Sequence, residues 1–218
     1  MAQRAAQAAF EFDAALMGQV RRAFESALGA DKVFFEALDR NSYKDKFAIN
    51  DAAHHPAGAI GPTTVEEVQA ALRVANQFRV PVWPISRGKN LGYGGSAPLL
   101  GGSVVMDLSR MKRIEFDEEF GTVLLEPGVG FYDLYDFIQA NNLPYWLSTP
   151  GNSWGSVIGN ALDRGVGYTP YGENTKNLCG LEVVLPTGEI VRTQYDPSER
   201  AVYLARNRAS STCGIWDS

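Results

Sequence analysis

The sequence predicts an α+β fold, because strand-like and helix-like segments are interleaved irregularly along its 218 residues. A regular strand–helix–strand series would instead indicate a parallel α/β sheet. Two further features stand out, a capped amphipathic helix near residue 65 and two glycine-rich loops, Pro84–Gly95 and Pro150–Gly167. No internal repeat or low-complexity tract points to a repeat fold or a disordered chain.

The predicted elements begin with an alanine-rich helix at Ala5–Leu28. Thr63-Thr64-Val65-Glu66 fits a capping box, in which a threonine oxygen caps the third amide and the glutamate reaches back. Apolar residues then recur at helical spacing, at Val65, Val68, Leu72 and Ala75. A further helix is predicted at Phe131–Asn141, and strands at Val80–Ile85, Ser103–Leu108, Thr122–Glu126, Leu181–Leu185 and Glu189–Thr193, the last two joined by a turn at Pro186-Thr187-Gly188.

These elements divide the chain into three stretches. We predict a helical N-terminal arm over residues 1–50, a main domain over residues 51–194 and an irregular tail over residues 195–218. The tail shows no clear periodicity, so it carries no predicted element.

The composition excludes several classes of function. A net charge of −5 and the lack of a Lys/Arg cluster give no basis for nucleic-acid binding. Cys179 and Cys213 lack the spacing of a metal site, and we expect Cys179 to be a small core residue and Cys213 to be incidental. The first residues do not form a secretory signal, and no apolar run reaches the ~20 residues that span a bilayer. We therefore expect a cytoplasmic protein, with export alongside a partner left open.

The two glycine-rich loops are the candidate binding elements. Glycine permits positive φ and close backbone approach, so that successive N–H groups can converge on an anion. The first loop does not fit the G-x-G-x-x-G fingerprint, and by itself it could equally close the edge of a sheet. The second loop adds glycines around Asn160 and the pair Asp163-Arg164. Arg164 could act in catalysis, or it could form a surface ion pair with Asp163. Two such loops together suggest a long ligand held between them.

The two loops and their surroundings resemble the vanillyl-alcohol oxidase / p-cresol methylhydroxylase family of FAD enzymes. The resemblance extends from about Ala59 to Thr193 and is closest to the branch that acts on 4-alkylphenols, the 4-cresol and eugenol hydroxylases. It rests on an ordered series of stretches: PTTVEEVQ (62–69), ISRGKNLGYGGSAP (85–98), VVMDLSRM (104–111), LLEPGV (124–129), GNALDRGVGYTPYG (159–172) and LEVVLPTGEIVRT (181–193).

The resemblance implies an FAD-binding fold of two α/β subdomains with the cofactor between them, so that residues 51–194 are the FAD-binding domain. It also implies that this is the N-terminal part of such an enzyme, without the substrate-capping domain. The tail at 195–218 departs from the family continuation, and a truncated gene, a frameshifted tail or a deliberate fragment would each explain it. FAD is the implied cofactor. The implied cofactor-binding residues are Pro84, Ile85, Ser86, Arg87, Gly88, Lys89, Asn90 and Gly94 in the first loop, and Pro150, Gly151, Gly155, Ser156, Gly159, Asn160, Asp163, Arg164, Gly165 and Val166 in the second.

The resemblance further implies catalytic roles for Tyr93 and Tyr168. Tyr93 matches a family tyrosine that binds the substrate as phenolate, and a tyrosine that only packs against the loop is the alternative. The implied reaction is oxidation of a 4-alkylphenol, in which hydride passes to the flavin N5, a quinone methide forms and water adds. Electrons then pass to an external carrier, and a c-type cytochrome and a homodimer are the implied partners.

Several positions depart from the family pattern. Asn90 stands where some members tether FAD through histidine, and His54 and His55 lie upstream as expected surface residues. Gly151 stands where the oxidases of the branch carry an aspartate, which favours a carrier over oxygen as electron acceptor. Asn174 stands where relatives often have a histidine. A flavin oxidase of aromatic alcohols or 2-hydroxy acids, and a non-catalytic FAD-binding fragment, are the alternative functions.

Overall fold

The computed structural model describes residues 14–49, 51–91, 93–151, 153–193, 210–214 and 216–217. The chain divides into two compact units, Met1–Leu108 and Ser109–Ser218. Each unit contains both helices and strands, in agreement with the predicted α+β class and the predicted pair of subdomains.

The first unit is built on a four-stranded sheet. Its strands are β1 (Val33–Phe34), β2 (Gly58–Ile60), β3 (Val82–Ile85) and β4 (Val104–Asp107), in the order β1-β2-β4-β3. β4 lies parallel to both β2 and β3, while β1 is antiparallel to β2. The helices are α1 (Ala14–Leu28), α2 (Ala37–Asn41) and α3 (Val65–Phe78), with 3-10 turns at Ala30–Lys32 and Asp51–His54.

The stretch predicted as an N-terminal arm contributes to this unit. Val20 and Phe24 on α1 are fully buried, because their side chains lie among the core residues of the unit. β1 extends the sheet by pairing Val33 with Ile60. Described residues of the predicted arm therefore form part of the first unit, whereas residues 1–13, where the predicted helix began, lie outside the described residues.

The predicted capping box of α3 is displaced by one residue. The N-cap is Thr64, whose hydroxyl accepts a hydrogen bond from the Glu67 amide at 3.3 Å. Glu67 reaches back to Thr63, and its carboxylate accepts from the Thr63 amide at 2.8 Å. Two adjacent threonines and two adjacent glutamates allow either register, and Lys32 favours this one because its ammonium lies 2.5 Å from the Glu67 carboxylate.

We expect the substitution Glu67→Gln to destabilise the first unit in a pH-dependent way. Burial raises the pKa of Glu67, but the Lys32 ammonium and the Thr63 donors outweigh it and hold that pKa below its ordinary value. A lowered folded-state pKa stabilises the protein above the unfolded pKa, and the effect is lost as the pH falls through the folded value. The variant should lose about 1–2 kcal/mol of unfolding free energy at neutral pH.

Denaturant titrations of wild type and variant at several pH values measure this effect. The difference between the two proteins should shrink as the pH falls below about 4, where carboxyl groups become protonated. Glu118→Gln, at an exposed carboxylate, is the control. A difference that stays constant over the whole pH range would contradict the assigned role of the ion pair.

The second unit contains a five-stranded antiparallel sheet. Its strands are β5 (Ile114–Asp117), β6 (Thr122–Leu125), β8 (Leu178–Val184), β9 (Ile190–Arg192) and β10 (Ser210–Gly214), in the order β5-β6-β10-β8-β9. The short strand β7 (Tyr145–Trp146) pairs with β11 (Trp216–Asp217). The helices are α4 (Phe131–Ala140) and α5 (Val157–Leu162), with a 3-10 turn at Asn174–Asn177. Its buried core consists of Val123, Leu125, Val129, Phe131, Leu134, Ile138, Val157 and Ile158.

Two expectations for this unit differ from the structure. The tail predicted to be irregular places its residues 210–214 as β10 between β6 and β8. Cys179, expected in the core, is exposed on β8. The predicted turn between β8 and β9 is confirmed, because the Leu185 amide donates to the Glu189 carbonyl at 2.7 Å and Gly188 has a φ of 86°. Within the described part of the chain, every helix is too short or too polar to cross a bilayer.

Candidate functional site

The first glycine loop follows β3 in the first unit. β3 is held parallel to β4, and the Ile85 carbonyl accepts from the Leu108 amide at 2.9 Å. Gly88 has a φ of 60°, and a side chain there would begin 2.7 Å from Ser96 Cβ. The two arms of the loop therefore lie too close for any residue but glycine at this position. Pro84, Lys89 and Asn90 are exposed, while Ile85, Ser86 and Arg87 are half-buried.

Asn90 organises the tip of this loop. Its carbonyl accepts from the amides of Tyr93 at 3.1 Å and Gly95 at 3.0 Å. Its side-chain amide donates to the Tyr93 carbonyl at 3.2 Å. Gly94 and Gly95 have φ values of 100° and 59°, and a side chain at either would meet nothing within 4 Å. Glycine is thus required here by backbone conformation, and the space beside the tip is left unfilled by the described residues.

The same loop presents unpaired backbone donors. Among the described residues, the N–H groups of Gly88, Asn90 and Gly94 donate to no acceptor. Free N–H groups along a glycine-rich turn favour an anionic group, because their dipoles point outward at it. The loop has the backbone chemistry of an anion cradle.

Tyr93 projects from this cradle. Its side chain is 84% exposed, although its own amide and carbonyl are both hydrogen-bonded to Asn90. The backbone is therefore held while the phenol is available for contact with a ligand.

Sequence reasoning missed the part played by His54. The imidazole Nδ1 lies 3.2 Å from the Pro98 carbonyl and 3.1 Å from the Leu99 carbonyl. Since both partners are acceptors, Nδ1 carries the proton and donates. His54, expected as an ordinary surface residue, instead forms hydrogen bonds to the segment that follows the first loop. No sequence signal could indicate this, since the partners are main-chain atoms 44 and 45 residues away.

In the second unit, Ser156 begins α5 at the start of the second glycine loop. Its hydroxyl accepts from the Gly159 amide at 3.1 Å and donates to the buried Pro127 carbonyl at 2.7 Å. Ser156 is 5% exposed, and its oxygen is already used by the protein. What Ser156 offers a cofactor is therefore its backbone rather than its hydroxyl.

The end of α5 is organised by Asn160. The Gly165 amide donates to the Asn160 carbonyl at 2.8 Å, which turns the chain back over the helix end. A side chain at Gly165 would overlap the carboxamide of Asn160. The carboxamide therefore packs directly against the Gly165 backbone. Between them, Asp163 and Arg164 are exposed, and Arg164 adopts a φ of 58°.

The rest of the second loop is more open. Tyr168 is 88% exposed, and its hydroxyl would lie 3.3 Å from a Cβ atom added at Gly151. Val166 is exposed and forms a bridge with Glu173. Pro150, Gly155 and Gly159 are half-buried.

Comparisons with known proteins identify this arrangement. The family model described as an FAD binding domain matches residues 56–194. The chain is 44% identical over 173 residues to the 4-cresol dehydrogenase [hydroxylating] flavoprotein subunit of Pseudomonas putida, covering 78% of this chain and 33% of that protein. Its fold matches p-cresol methylhydroxylase with a TM-score of 0.86 and 34% identity over 94% of this chain and 44% of that one. It also matches 4-ethylphenol oxidase from Gulosibacter chungangensis with a TM-score of 0.87 and 29% identity, over 96% of this chain and 44% of that one.

The chain therefore belongs to the family of FAD binding domains, in the vanillyl-alcohol oxidase / p-cresol methylhydroxylase group that its motifs resemble. Its cofactor is FAD. The predicted fold, cofactor and family are confirmed. The chain spans about a third of the length of the 4-cresol dehydrogenase subunit and under half of the solved relatives.

The residues present fit this cofactor. In the first unit, the unpaired amides and the unfilled space beside Gly94 and Gly95 suit a phosphate group, which is anionic and needs close backbone approach. In the second unit, Gly165 leaves room only for the flat amide of Asn160. The FAD contacts of the individual loop residues are a prediction from the resemblance.

Proposed function

We propose that this chain is the FAD-binding part of a flavoenzyme that oxidises 4-alkylphenols, such as cresols or eugenol-type compounds. The observation that carries the proposal is Tyr93, an exposed phenol on a backbone held by Asn90 within the FAD-binding loop. The likeness to a 4-cresol dehydrogenase subunit and to p-cresol methylhydroxylase supports the same substrate class.

The residues of this chain would act on the substrate through their hydroxyl groups. Tyr93 would donate a hydrogen bond to the phenol oxygen of the substrate, which favours the phenolate and lowers its pKa. A phenolate pushes electron density towards the para carbon, which helps hydride leave from the attached carbon. Tyr168, equally exposed in the second unit, is the second candidate donor.

Within each unit, groups of the glycine-rich loop would bind part of the cofactor. The N–H groups of Gly88, Asn90 and Gly94 would bind phosphate oxygens, and Asn160 would offer its side-chain amide. When bound, FAD supplies the two-electron oxidant that accepts the hydride. Asn90 has no nucleophilic side chain, so this position would form no covalent tether.

Two acceptors are possible for the electrons, and we favour an external carrier such as a c-type cytochrome. Gly151 has no side chain, so no carboxylate lies at this position next to Tyr168. A Cβ atom at Gly151 would lie 3.3 Å from the Tyr168 hydroxyl. The likeness to 4-ethylphenol oxidase supports the alternative, an oxidase that uses oxygen. Peroxide formation with oxygen as the sole acceptor would identify the oxidase, and reduction of added cytochrome would identify the dehydrogenase.

The first test is whether the purified chain holds flavin. The chain should be mixed with FAD, desalted, and examined for protein-bound flavin by its visible absorbance. A yellow protein is expected. A colourless protein would show that these residues alone do not retain the cofactor and would favour a non-catalytic fragment.

We expect Tyr93→Phe to weaken the binding of a phenolic ligand without loss of FAD. One hydrogen bond to a charged oxygen corresponds to about a tenfold rise in Kd. Titration of the FAD-loaded protein with p-cresol, followed by the flavin spectrum, measures it. Tyr135→Phe, at a half-exposed tyrosine on α4, is the control. Equal p-cresol affinity in wild type and Tyr93→Phe would refute the phenolate role.

A further inference from the structure

Asn174 is a buried amide with an unusual set of partners. It is 5% exposed and lies in the 3-10 turn that follows the second glycine loop. Its backbone amide donates to the Gly165 carbonyl at 2.8 Å, and its side-chain Nδ2 donates to Asn160 Oδ1 at 2.7 Å. One residue therefore contacts both the helix end and the turn that leaves it.

The direction of this amide pair follows from burial. As arranged, Asn174 Oδ1 is left buried without a donor among the described residues. The opposite arrangement, with Asn160 donating, would instead leave the Asn174 NH2 group buried and unpaired. Buried N–H groups without partners are rarer in proteins than unpaired carbonyl oxygens. Asn174 is thus the donor, and Asn160 Oδ1 is the acceptor.

This direction decides what Asn160 can offer. Because its oxygen is occupied by Asn174, the remaining group of the Asn160 carboxamide is its NH2, which donates to no described residue. The Asn160 carboxamide also packs directly against Gly165, because a Cβ atom added at Gly165 would overlap it. This close packing restricts the position of the amide. Asn160 is half-buried, and its NH2 nitrogen is not one of the fully buried unpaired polar atoms of the described residues.

We infer that Asn174 is a positioning residue of the flavin site: it locks the carboxamide of Asn160 so that two N–H donors face an acceptor oxygen of FAD. Thr175 strengthens the lock by donating its hydroxyl to the Ala161 carbonyl on α5. The bridge between Val166 and Glu173 closes the same turn from the other side. The inference depends on the FAD site and on neither the phenolic substrate nor the electron acceptor.

Asn177 offers a matched control. It lies in the same 3-10 turn, is 9% exposed, and its Oδ1 is also unpaired, but it does not bind Asn160. Asn177→Ala therefore removes a buried amide of the same size without touching the proposed lock. Asn174→Asp keeps the shape of the side chain and removes its donor.

Hydrogen exchange of the whole chain without FAD tests the lock itself. Asn174→Ala and Asn174→Asp should accelerate exchange of the Gly165 amide about tenfold relative to wild type, because its turn opens more often. Asn177→Ala should leave that amide unchanged. Wild-type exchange in both Asn174 variants, or equal acceleration in the Asn177 variant, would overturn the inference.

Titration with free FAD then tests the consequence for the cofactor. Asn160→Ala and Asn174→Ala should each raise the Kd for FAD, and the double variant should bind no more weakly than Asn160→Ala alone, since coupled residues are non-additive. Independent, multiplying effects would overturn the inference. A wild-type chain that binds no FAD would show that these residues alone do not retain the cofactor, while the exchange result would still decide whether Asn174 positions Asn160.

Discussion

Replacing Gly165 with alanine is expected to abolish measurable FAD binding by this chain and to lower its stability. The new methyl group would occupy the position of the Asn160 carboxamide, which would have to leave the Gly165 α-carbon and its bond to Asn174. Overpacking of this kind costs about 1–3 kcal/mol. Fluorescence titration with FAD and thermal unfolding measure the two effects.

Gly151→Ala is the matched control for this substitution. It adds the same methyl group to the same loop, but the nearest atom is the Tyr168 hydroxyl at 3.3 Å, at the end of an exposed side chain that can move. Its stability should stay within about 0.5 kcal/mol of wild type. If Gly165→Ala bound FAD as wild type does, the close packing of Asn160 would have no functional importance.

Gly128→Ala should be the most destabilising single substitution that we predict for the second unit. A Cβ atom at this position would lie 2.5 Å from the backbone oxygens of both Ser109 and Met111. Main-chain atoms cannot rotate away as a side chain can. The backbone segments that carry Gly128 and Ser109–Met111 would therefore have to move apart. The stability loss should be about 3 kcal/mol, corresponding to about 6–12 °C in Tm.

This substitution also bears on the cofactor loop. Pro127 and Val129, on either side of Gly128, accept hydrogen bonds from Ser156 and from the Val157 amide at the start of α5.

Gly18→Ala, in the helix α1, serves as the opposite control, because its Cβ would meet Arg22 at an ordinary 3.6 Å. Alanine there should stabilise the chain by about 0.5–1 kcal/mol. A Gly128 variant as stable as wild type would contradict the packing described here.

The elements with strong local signals were predicted well. β3, β4, β6, α4 and the β8–β9 turn depend on apolar runs and on turn residues close together in the chain. The register of the α3 cap was wrong by one residue, because Thr63 and Thr64 are equally good caps locally. Only the contact between Lys32 and Glu67, 35 residues apart, distinguishes them.

The candidate site was predicted as two loops but not as a set of contacts. The glycines of both loops follow from local composition and the proposed role of Tyr93 from the resemblance, whereas its exposure is seen only in the structure. Two sets of hydrogen bonds join positions that are distant in the sequence: those from His54 to the carbonyls of Pro98 and Leu99, and the one from Asn174 to Asn160. Such pairs leave no periodic pattern in one sequence.

The two glycine-rich loops were predictable because glycine and turn preferences act over a few residues, and the family and the cofactor were predictable because these loops belong to an ordered series of motifs that resembles a known family. Long-range packing placed α1 and β1 in the first unit, residues 210–214 in the sheet of the second, and the Asn174 amide against Asn160 Oδ1. These outcomes depend on which surfaces are buried against each other. Burial is a property of the folded chain, so it decides between alternatives that are locally equivalent.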